Sequence, residues 1–324
     1  MTLNLTFACG GYDRVQPLRD GRIAVEGCTL TSFDLEPEEL FPRIARNQEF
    51  DVTEFSFSSY MAAVAKGPWD YVAIPVFPSR MFRHAAIFVN AKSGIAKPED
   101  LKGKRVGAPS YQMTAALVAR GMLADEYNVK PADMTWVLGE LHHTGHVAAP
   151  PGIGVKIEHA DDRKLSDLLA EGKIDALITA EIPHSFDGAK VVRLFKEPRA
   201  VERAYFAKTR IYPIMHALCV RRTLAEQYPW LPSSLYKAFE LAKAHALKTI
   251  DGHGGVLMAT LPWLVLEVEE TRALMGEDYW PFGVAANKAT LDAMTRWSHE
   301  QGLSPRKLTP ADLFHPSTLE QHKV

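Results

Sequence analysis

The chain has 324 residues, 47% of them hydrophobic and 23% charged, with a formal net charge of −2. That length accommodates two domains or one large α/β domain, and near-neutrality excludes a whole-molecule field for nucleic acid or an anionic membrane, so anion binding requires a local cluster. Three widely spaced cysteines, Cys9, Cys28 and Cys219, exclude a disulfide framework and a structural zinc site and read as small, reduced core residues.

The opening MTLNLTFACGGYDR alternates apolar and polar residues from Leu3 and lacks a basic leader, which predicts a strand over 3–9 rather than a signal peptide. In the loop after it, Gly10-Gly11 permits close backbone approach. Arg14 there is a candidate carboxylate clamp, with Asp13 orienting it or bonding a hydroxyl; the plain alternative is a turn with a surface ion pair. A second strand is predicted over 29–34, then a short helix after Glu36-Pro37 that Pro42 should kink or end early. DVTEFS reads as a third strand carrying Glu54, and Ser58 or Ser59 should cap the helix YMAAVAK, which closes at Gly67.

PVFPSRMFRHAAIFVN, residues 75–90, sets Arg80, Arg83 and His84 between two apolar runs of strand length. Arginine grips a carboxylate through two parallel hydrogen bonds, which lysine cannot do. Residues three apart on an extended chain face opposite sides, so both arginines enter one site only if the segment bends. The plain alternative for either is a partner acid at the surface.

RVGAP is the next strand, and the helix after it should begin near Ser110. Ser110, Tyr111, Gln112 and Thr114 would add donors to a helix start, which favours anions; ordinary capping by Ser110 is compatible with that. Further alternation follows in MTWVLG, VKIEHA, RKLSDLLAEG and KIDALIT, with Glu181 just beyond the last. His142, His143 and His146 form HHxxH, but Thr144-Gly145 and AAPPG argue for a loop, not a metal-binding helix, so no metal is expected. An amphipathic stretch over 197–208 precedes the apolar strand IYPIMHALCVRR, which contains His216. A lone histidine in such a run is more often a core residue than a catalyst, and the same holds for His84. From Thr223 the pattern is mostly helical; DGHGG at 251–255 reads as a helix terminator, and Trp280 either covers a cleft or packs the tail. No stretch reaches the roughly 20 apolar residues of a membrane span, and with the N-terminal reading the expected location is cytoplasmic.

Strand–helix alternation predicts an α/β fold of two lobes with mixed sheets. Residues 1–86 plus 217–324 form the first lobe, including a helical tail, and 87–216 form an inserted second lobe. The two hinge crossings are HAAIFVN outward and IMHALCV returning, with the cleft between the lobes.

PEDLKGKRVGAPS and LSDLLAEGKIDALIT resemble segments of the type II periplasmic-binding-protein fold. ACGGYDRVQPLRDGRI, QEFDVTEFSFSSYM, IPVFPSRMFRHAAIFVN, SYQMTAALVARGML and YWPFGVAANKATLDAM together resemble the 4,5-dihydroxyphthalate decarboxylase family over nearly the whole chain. The segment GELHHTGHVAAPPG departs from the charged loop usual there. The resemblance implies a clamshell that converts 4,5-dihydroxyphthalate, or a close hydroxylated aromatic acid, to protocatechuate without a metal or organic cofactor, as a homo-oligomer. His216 and His84 are then the candidate acid–base residues with Glu181 as partner base, and Glu54 is a second carboxylate facing the cleft. Asp13, Arg14, Glu54, Arg80, Arg83, Ser110, Tyr111, Gln112, Thr114 and Trp280 are the candidate ligands of an aromatic dicarboxylate. The alternative is a non-catalytic solute-binding protein for an aromatic carboxylate, which would use the same clamp.

Overall fold

A computed structural model describes residues 2–142, 154–250, 257 and 259–320. Among the described residues the strands are β1 (Leu3–Cys9), β2 (Cys28–Asp34), β3 (Val52–Ser56), β4 (Tyr71–Arg80), β5 (Ile87–Asn90), β6 (Arg105–Ala108), β7 (Thr135–Leu138), β8 (Lys156–His159), β9 (Ala176–Ile178), β10 (Val191–Arg193) and β11 (Ile214–Arg221). They form two mixed sheets, in the orders β2-β1-β3-β11-β4 and β10-β5-β9-β6-β7-β8. In the first, β1 runs parallel to β2 and β3, while β11 is antiparallel to β3 and β4. In the second, β6, β7, β8 and β9 are parallel and β5 and β10 join antiparallel. The short strand β10 has no counterpart in the sequence reading.

Local chemistry explains most element boundaries. Pro75 and Pro78 sit within β4 because β4 is an edge strand, where a missing N–H costs no ladder bond. The helix Pro37–Asn47 starts with its proline at the first position but runs through Pro42 rather than ending there. Fully buried Leu40 and Ile44 flank Pro42 and hold the helix to the sheet, so packing outweighs the lost backbone bond. The cap of Phe57–Lys66 is Ser56, whose hydroxyl accepts from the Ser59 N–H; Ser58 and Ser59 are already inside the helix. The helix Thr114–Tyr127 starts four residues after Ser110, with Met113 at its N-cap.

The chain leaves the first sheet at Arg80 and enters the second at Ile87 through a 3₁₀ turn, His84–Ala86. The return differs from the expected one. IMHALCV is not a crossing but the body of β11, paired on both sides within the first sheet. The chain returns instead through residues 194–213, mostly as the helix Pro198–Thr209. Residues 214–216, assigned by sequence to the second lobe, therefore belong to the first sheet, because two-sided ladder pairing fixes them there.

The C-terminal tail contacts both lobes. On the helix Lys288–Glu300, the Trp297 ring lies against Gly121 of the second lobe, and Trp297 Nε1 donates to Asp125 at 2.9 Å. Arg120 Nε donates to Gln301 at 2.6 Å, and Arg296 pairs with Asp125. A side chain at residue 121 would fall inside the indole of Trp297. Gly121→Val should therefore lower stability by about 1–3 kcal/mol, the usual range for overpacking, read as a lower urea midpoint at unchanged slope.

Candidate active site

Between the lobes lies a cleft of about 930 Å³. Its first-lobe wall comes from β3, β11 and the helix Pro37–Asn47. Its second-lobe wall comes from the loop 109–113, the start of the helix Thr114–Tyr127 and the segment after β9.

The centre of the first-lobe wall is His216. Across the β3–β11 ladder it lies opposite Ser56, and Glu54 sits two residues earlier on β3, hence on the same face. That diagonal brings His216 Nδ1 to 2.5 Å from Glu54 Oε1. The Glu54 carboxylate is 1% exposed and takes three further bonds: from the Tyr12 hydroxyl at 2.8 Å, the Gly10 N–H at 2.8 Å and the Cys9 thiol at 3.2 Å. Burial alone would raise its pKa; the charge and hydrogen bond of His216, with the Gly10 and Tyr12 donors, reverse that and hold it at about 2. Glu54 is thus an anion at neutral pH, and it holds His216 rather than a substrate. Burial and the neighbouring Glu54 charge push the Tyr12 hydroxyl and the Cys9 thiol upward, so both stay protonated as donors. The His216 ring meets Phe41 edge-on, with centroids 4.9 Å apart. With Nδ1 engaged, Nε2 is the nitrogen left for the cleft, which His216 lines at 15% exposure.

Arg83 lines the cleft beside it. Its Nε and one terminal nitrogen contact Met215 Sδ at 3.1 and 2.8 Å, while the other terminal nitrogen is buried without a hydrogen-bond partner among the described residues. Burial pushes its pKa down to about 10, which still leaves a cation at neutral pH. On the opposite wall, Ser110, Gln112 and the first residues of the helix Thr114–Tyr127 line the cleft, and Arg46 stands at the exposed rim. The leading N–H groups of that helix suit an anion. Thr114 itself is buried, its hydroxyl 3.0 Å from Ser56 Oγ and accepting from the Ser58 N–H at 3.1 Å; it latches the lobes together. Glu181 lines the second-lobe wall, and its near partner is His142, at 3.5 Å, rather than His216.

Several expected ligands lie elsewhere. The Arg80 guanidinium does not line the cleft; it donates to the carbonyls of Pro281 at 2.8 Å and Tyr212 at 2.6 Å, while Arg83 lies beyond the end of β4. Arg14 is stacked over Trp280 and Tyr12, 4.0 and 4.4 Å from the ring centroids, and donates to the Pro78 carbonyl. Asp13 is exposed, pairing with Arg14 at 3.0 Å, and Trp280 donates to the Phe77 carbonyl at 2.9 Å; none of these three lines the cleft. Tyr111 is fully buried beneath Arg120 and against Trp136, because its neighbours Ser110 and Gln112 take the cleft side of the loop. His84 lies in the hinge between the rings of Phe195 and Tyr205, away from the cleft. His143, His146 and the segment 251–255 lie outside the described residues. Among the described residues, no group of three or more His, Cys, Asp and Glu side chains is arranged to hold a metal ion, and no helix is long and apolar enough to cross a membrane.

The sequence reading missed Tyr12, Ser56 and Met215. Ser56 and Met215 carried usable signals: one is two residues from Glu54 on a strand, the other adjoins His216. Tyr12 carried none, since nothing local shows that a loop tyrosine reaches a carboxylate 42 residues away.

The chain matches, over residues 42–181, the family model described as the periplasmic substrate-binding protein of a phosphonate ABC transporter. It is 41% identical over 329 residues to the 4,5-dihydroxyphthalate decarboxylase of Comamonas testosteroni, an alignment covering 99% of each chain. It is 38% identical over 210 residues to the protein of the same name from Pseudomonas putida, covering 63% of this chain and 81% of that one. Among solved structures it is similar to the aliphatic sulphonate binding protein SsuA of Escherichia coli, with TM-score 0.50, 16% identity and coverage of 100% of this chain and 95% of the other. A sulfonate-binding SsuA from Methylobacillus flagellatus KT gives TM-score 0.52 and 13% identity, covering 98% and 93%. These structural likenesses concern the two-lobed fold alone.

Burial pushes the His84 pKa down to about 4 from 6.5, so between those values the unfolded chain binds the extra proton. The stability due to neutral His84 is complete above pH 6.5 and is lost as pH falls toward 4. His84→Phe, which keeps a ring in the hinge, should remove up to about 3 kcal/mol of acid-side loss in that window. Urea unfolding of both proteins from pH 7 to 4 measures the difference, and equal slopes would refute the assignment.

Proposed function

The chain belongs to the 4,5-dihydroxyphthalate decarboxylase family and is a carboxy-lyase; we propose that it decarboxylates 4,5-dihydroxyphthalate, or a close hydroxylated aromatic acid, by acid–base catalysis at His216. The observation that carries this reading is the His216–Glu54 pair: an imidazole fixed at Nδ1 by a buried, ionised carboxylate, with its other side toward the cleft.

In this substrate each hydroxyl is para to one carboxylate. Withdrawing a hydroxyl proton drives electron density to the para ring carbon, which then accepts a proton. The carbon–carboxylate bond breaks, its electron pair restores the aromatic ring, and carbon dioxide leaves. The para-dienone formed when the ring carbon is protonated accepts the electron pair of the breaking bond, the part a metal or organic electron sink would otherwise play, so the proposed reaction needs no cofactor. The imidazolium of His216, stabilised by Glu54, delivers the proton to the ring carbon and is recharged from solvent, giving one proton consumed per turnover.

Holding the substrate falls to Arg83 and the start of the helix Thr114–Tyr127. Arg83, a cation on the cleft wall, suits one carboxylate, and the helix start with Ser110 and Gln112 suits the second. The tighter grip belongs on the carboxylate that is retained, since strong donors on the departing one would oppose its loss of charge.

The test is to mix chelator-treated protein with 4,5-dihydroxyphthalate and follow carbon dioxide and protocatechuate. Turnover is expected; saturable binding without turnover would replace this reading by a solute carrier. His216→Asn should cut kcat by about 10²–10⁴-fold with KM little changed, as for loss of a general acid. Arg83→Met should act mainly on KM. Equal losses of binding and turnover in His216→Asn would remove it from the chemistry.

A further inference from the structure

We propose that Glu181 and His142, backed by His184 and Asp167, form a second acid–base group in the cleft, the one that takes the hydroxyl proton of the substrate and returns it. This deepens the decarboxylase reading and rests on it. The ring carbon that gains a proton and the hydroxyl that loses one lie at opposite ends of the aromatic ring. One imidazole on one wall does not serve both ends.

Behind Glu181, which lines the cleft, a chain of contacts runs through His142 and His184 to Asp167. Glu181 Oε2 is 3.5 Å from His142 Nε2; His142 Nδ1 is 3.2 Å from His184 Nδ1; His184 Nε2 is 2.9 Å from Asp167 Oδ1. Asp167 as a carboxylate only accepts, so His184 carries its proton on Nε2. Neutral His184 then presents a bare Nδ1, and the proton between the two rings belongs to His142 Nδ1. Neutral His142 is left with a lone pair at Nε2, directed at another acceptor, the Glu181 carboxylate. With both imidazoles neutral the Glu181–His142 contact is one proton short, and a hydroxyl proton arriving through Glu181 completes it. Glu38 and Glu140 also line the cleft, but neither is paired with an imidazole among the described residues.

The balance is simple. The O–H bond of the substrate breaks and its proton enters the Glu181–His142 contact. The oxygen's electron pair moves through the ring to the para carbon, which bonds the proton from His216. Carbon dioxide departs, the ring regains its electron pair, and the stored proton returns to the hydroxyl oxygen. Glu181 meets the substrate; His142 shares the proton; His184 and Asp167 are positioning residues that keep His142 Nε2 bare.

The test uses two substrates, 4,5-dihydroxyphthalate and 3,6-difluoro-4,5-dihydroxyphthalate, whose hydroxyls are more acidic and need a base less. Glu181 has a 55% exposed side chain, so Glu181→Gln leaves the fold intact. Glu181→Gln and His142→Gln should each lower kcat about 10²-fold on the first substrate with KM little changed, and by about tenfold less on the second. His184→Phe should show a smaller deficit with the same substrate dependence. His216→Asn should not be relieved by fluorine, since its role lies at the ring carbon. Deficits equal on both substrates, confined to KM, or missing would overturn the second base while leaving the decarboxylase reading intact. A wild-type protein inactive on both substrates would overturn the decarboxylase reading itself, and the second base with it.

Discussion

The site depends on one buried carboxylate. Glu54 sits in the first sheet at 1% exposure, where an ion without partners would cost far more than the fold could supply. Its two oxygens are met by four donors from three segments: Cys9 and Gly10 where β1 ends, Tyr12 in the loop beyond, and His216 on β11. Each donor is needed for the charge, and the charge fixes each donor. The same bonds that make the carboxylate tolerable lock the His216 ring by one nitrogen and direct the other outward. Fold stability and site geometry are therefore set by a single arrangement of atoms.

Topology brings those groups together without further help. β3 lies between β1 and β11, so a side chain near the end of β3 reaches both neighbours. The Glu54–His216 diagonal follows from the antiparallel register, and the Gly10 contact follows from β1 ending beside β3. Two glycines after Cys9 let the backbone turn there, and an added Cβ at Gly10 would collide with the Tyr12 ring. The local sequence Ala-Cys-Gly-Gly-Tyr thus shapes a donor cradle before any ligand is considered.

Strand-level organisation was legible because apolar runs and turn residues mark it directly. The two-lobed α/β plan, the strands at 3–9 and 52–56 and the placement of His216 in an apolar strand all follow from period and punctuation. Side-chain direction at the hinge was not legible. Arg80 ends β4 and Arg83 follows a bend, so their three-residue spacing settles nothing until the bend is known. Ser110, Tyr111 and Gln112 alternate between cleft and core in a loop with no period to read. Glu54 and Glu181 looked equivalent as carboxylates at strand ends; only the register of β3 against β11 shows that the first is buried behind His216. Pro42 misled because its local cost is real but smaller than the packing of Leu40 and Ile44.

The bonds across the base of the cleft bear on whether such a molecule carries or converts its ligand. A carrier of this fold closes around solute and opens to release it, which calls for lobes free to hinge. Here Thr114, from the second lobe, is bonded to Ser56 and Ser58 of the first, and Trp297 of the tail fills the space over Gly121. Both connections lie close to the elements that carry the His216–Glu54 pair and the helix start. They join the helix start that carries the second-lobe donors to the sheet that carries the imidazole. A fixed spacing does little for capture and release. Proton transfer gains from it, because reach and direction of the acid relative to the ring carbon decide the rate. Contacts that tie the two walls together at the base of the cleft suit conversion, whose rate depends on that spacing.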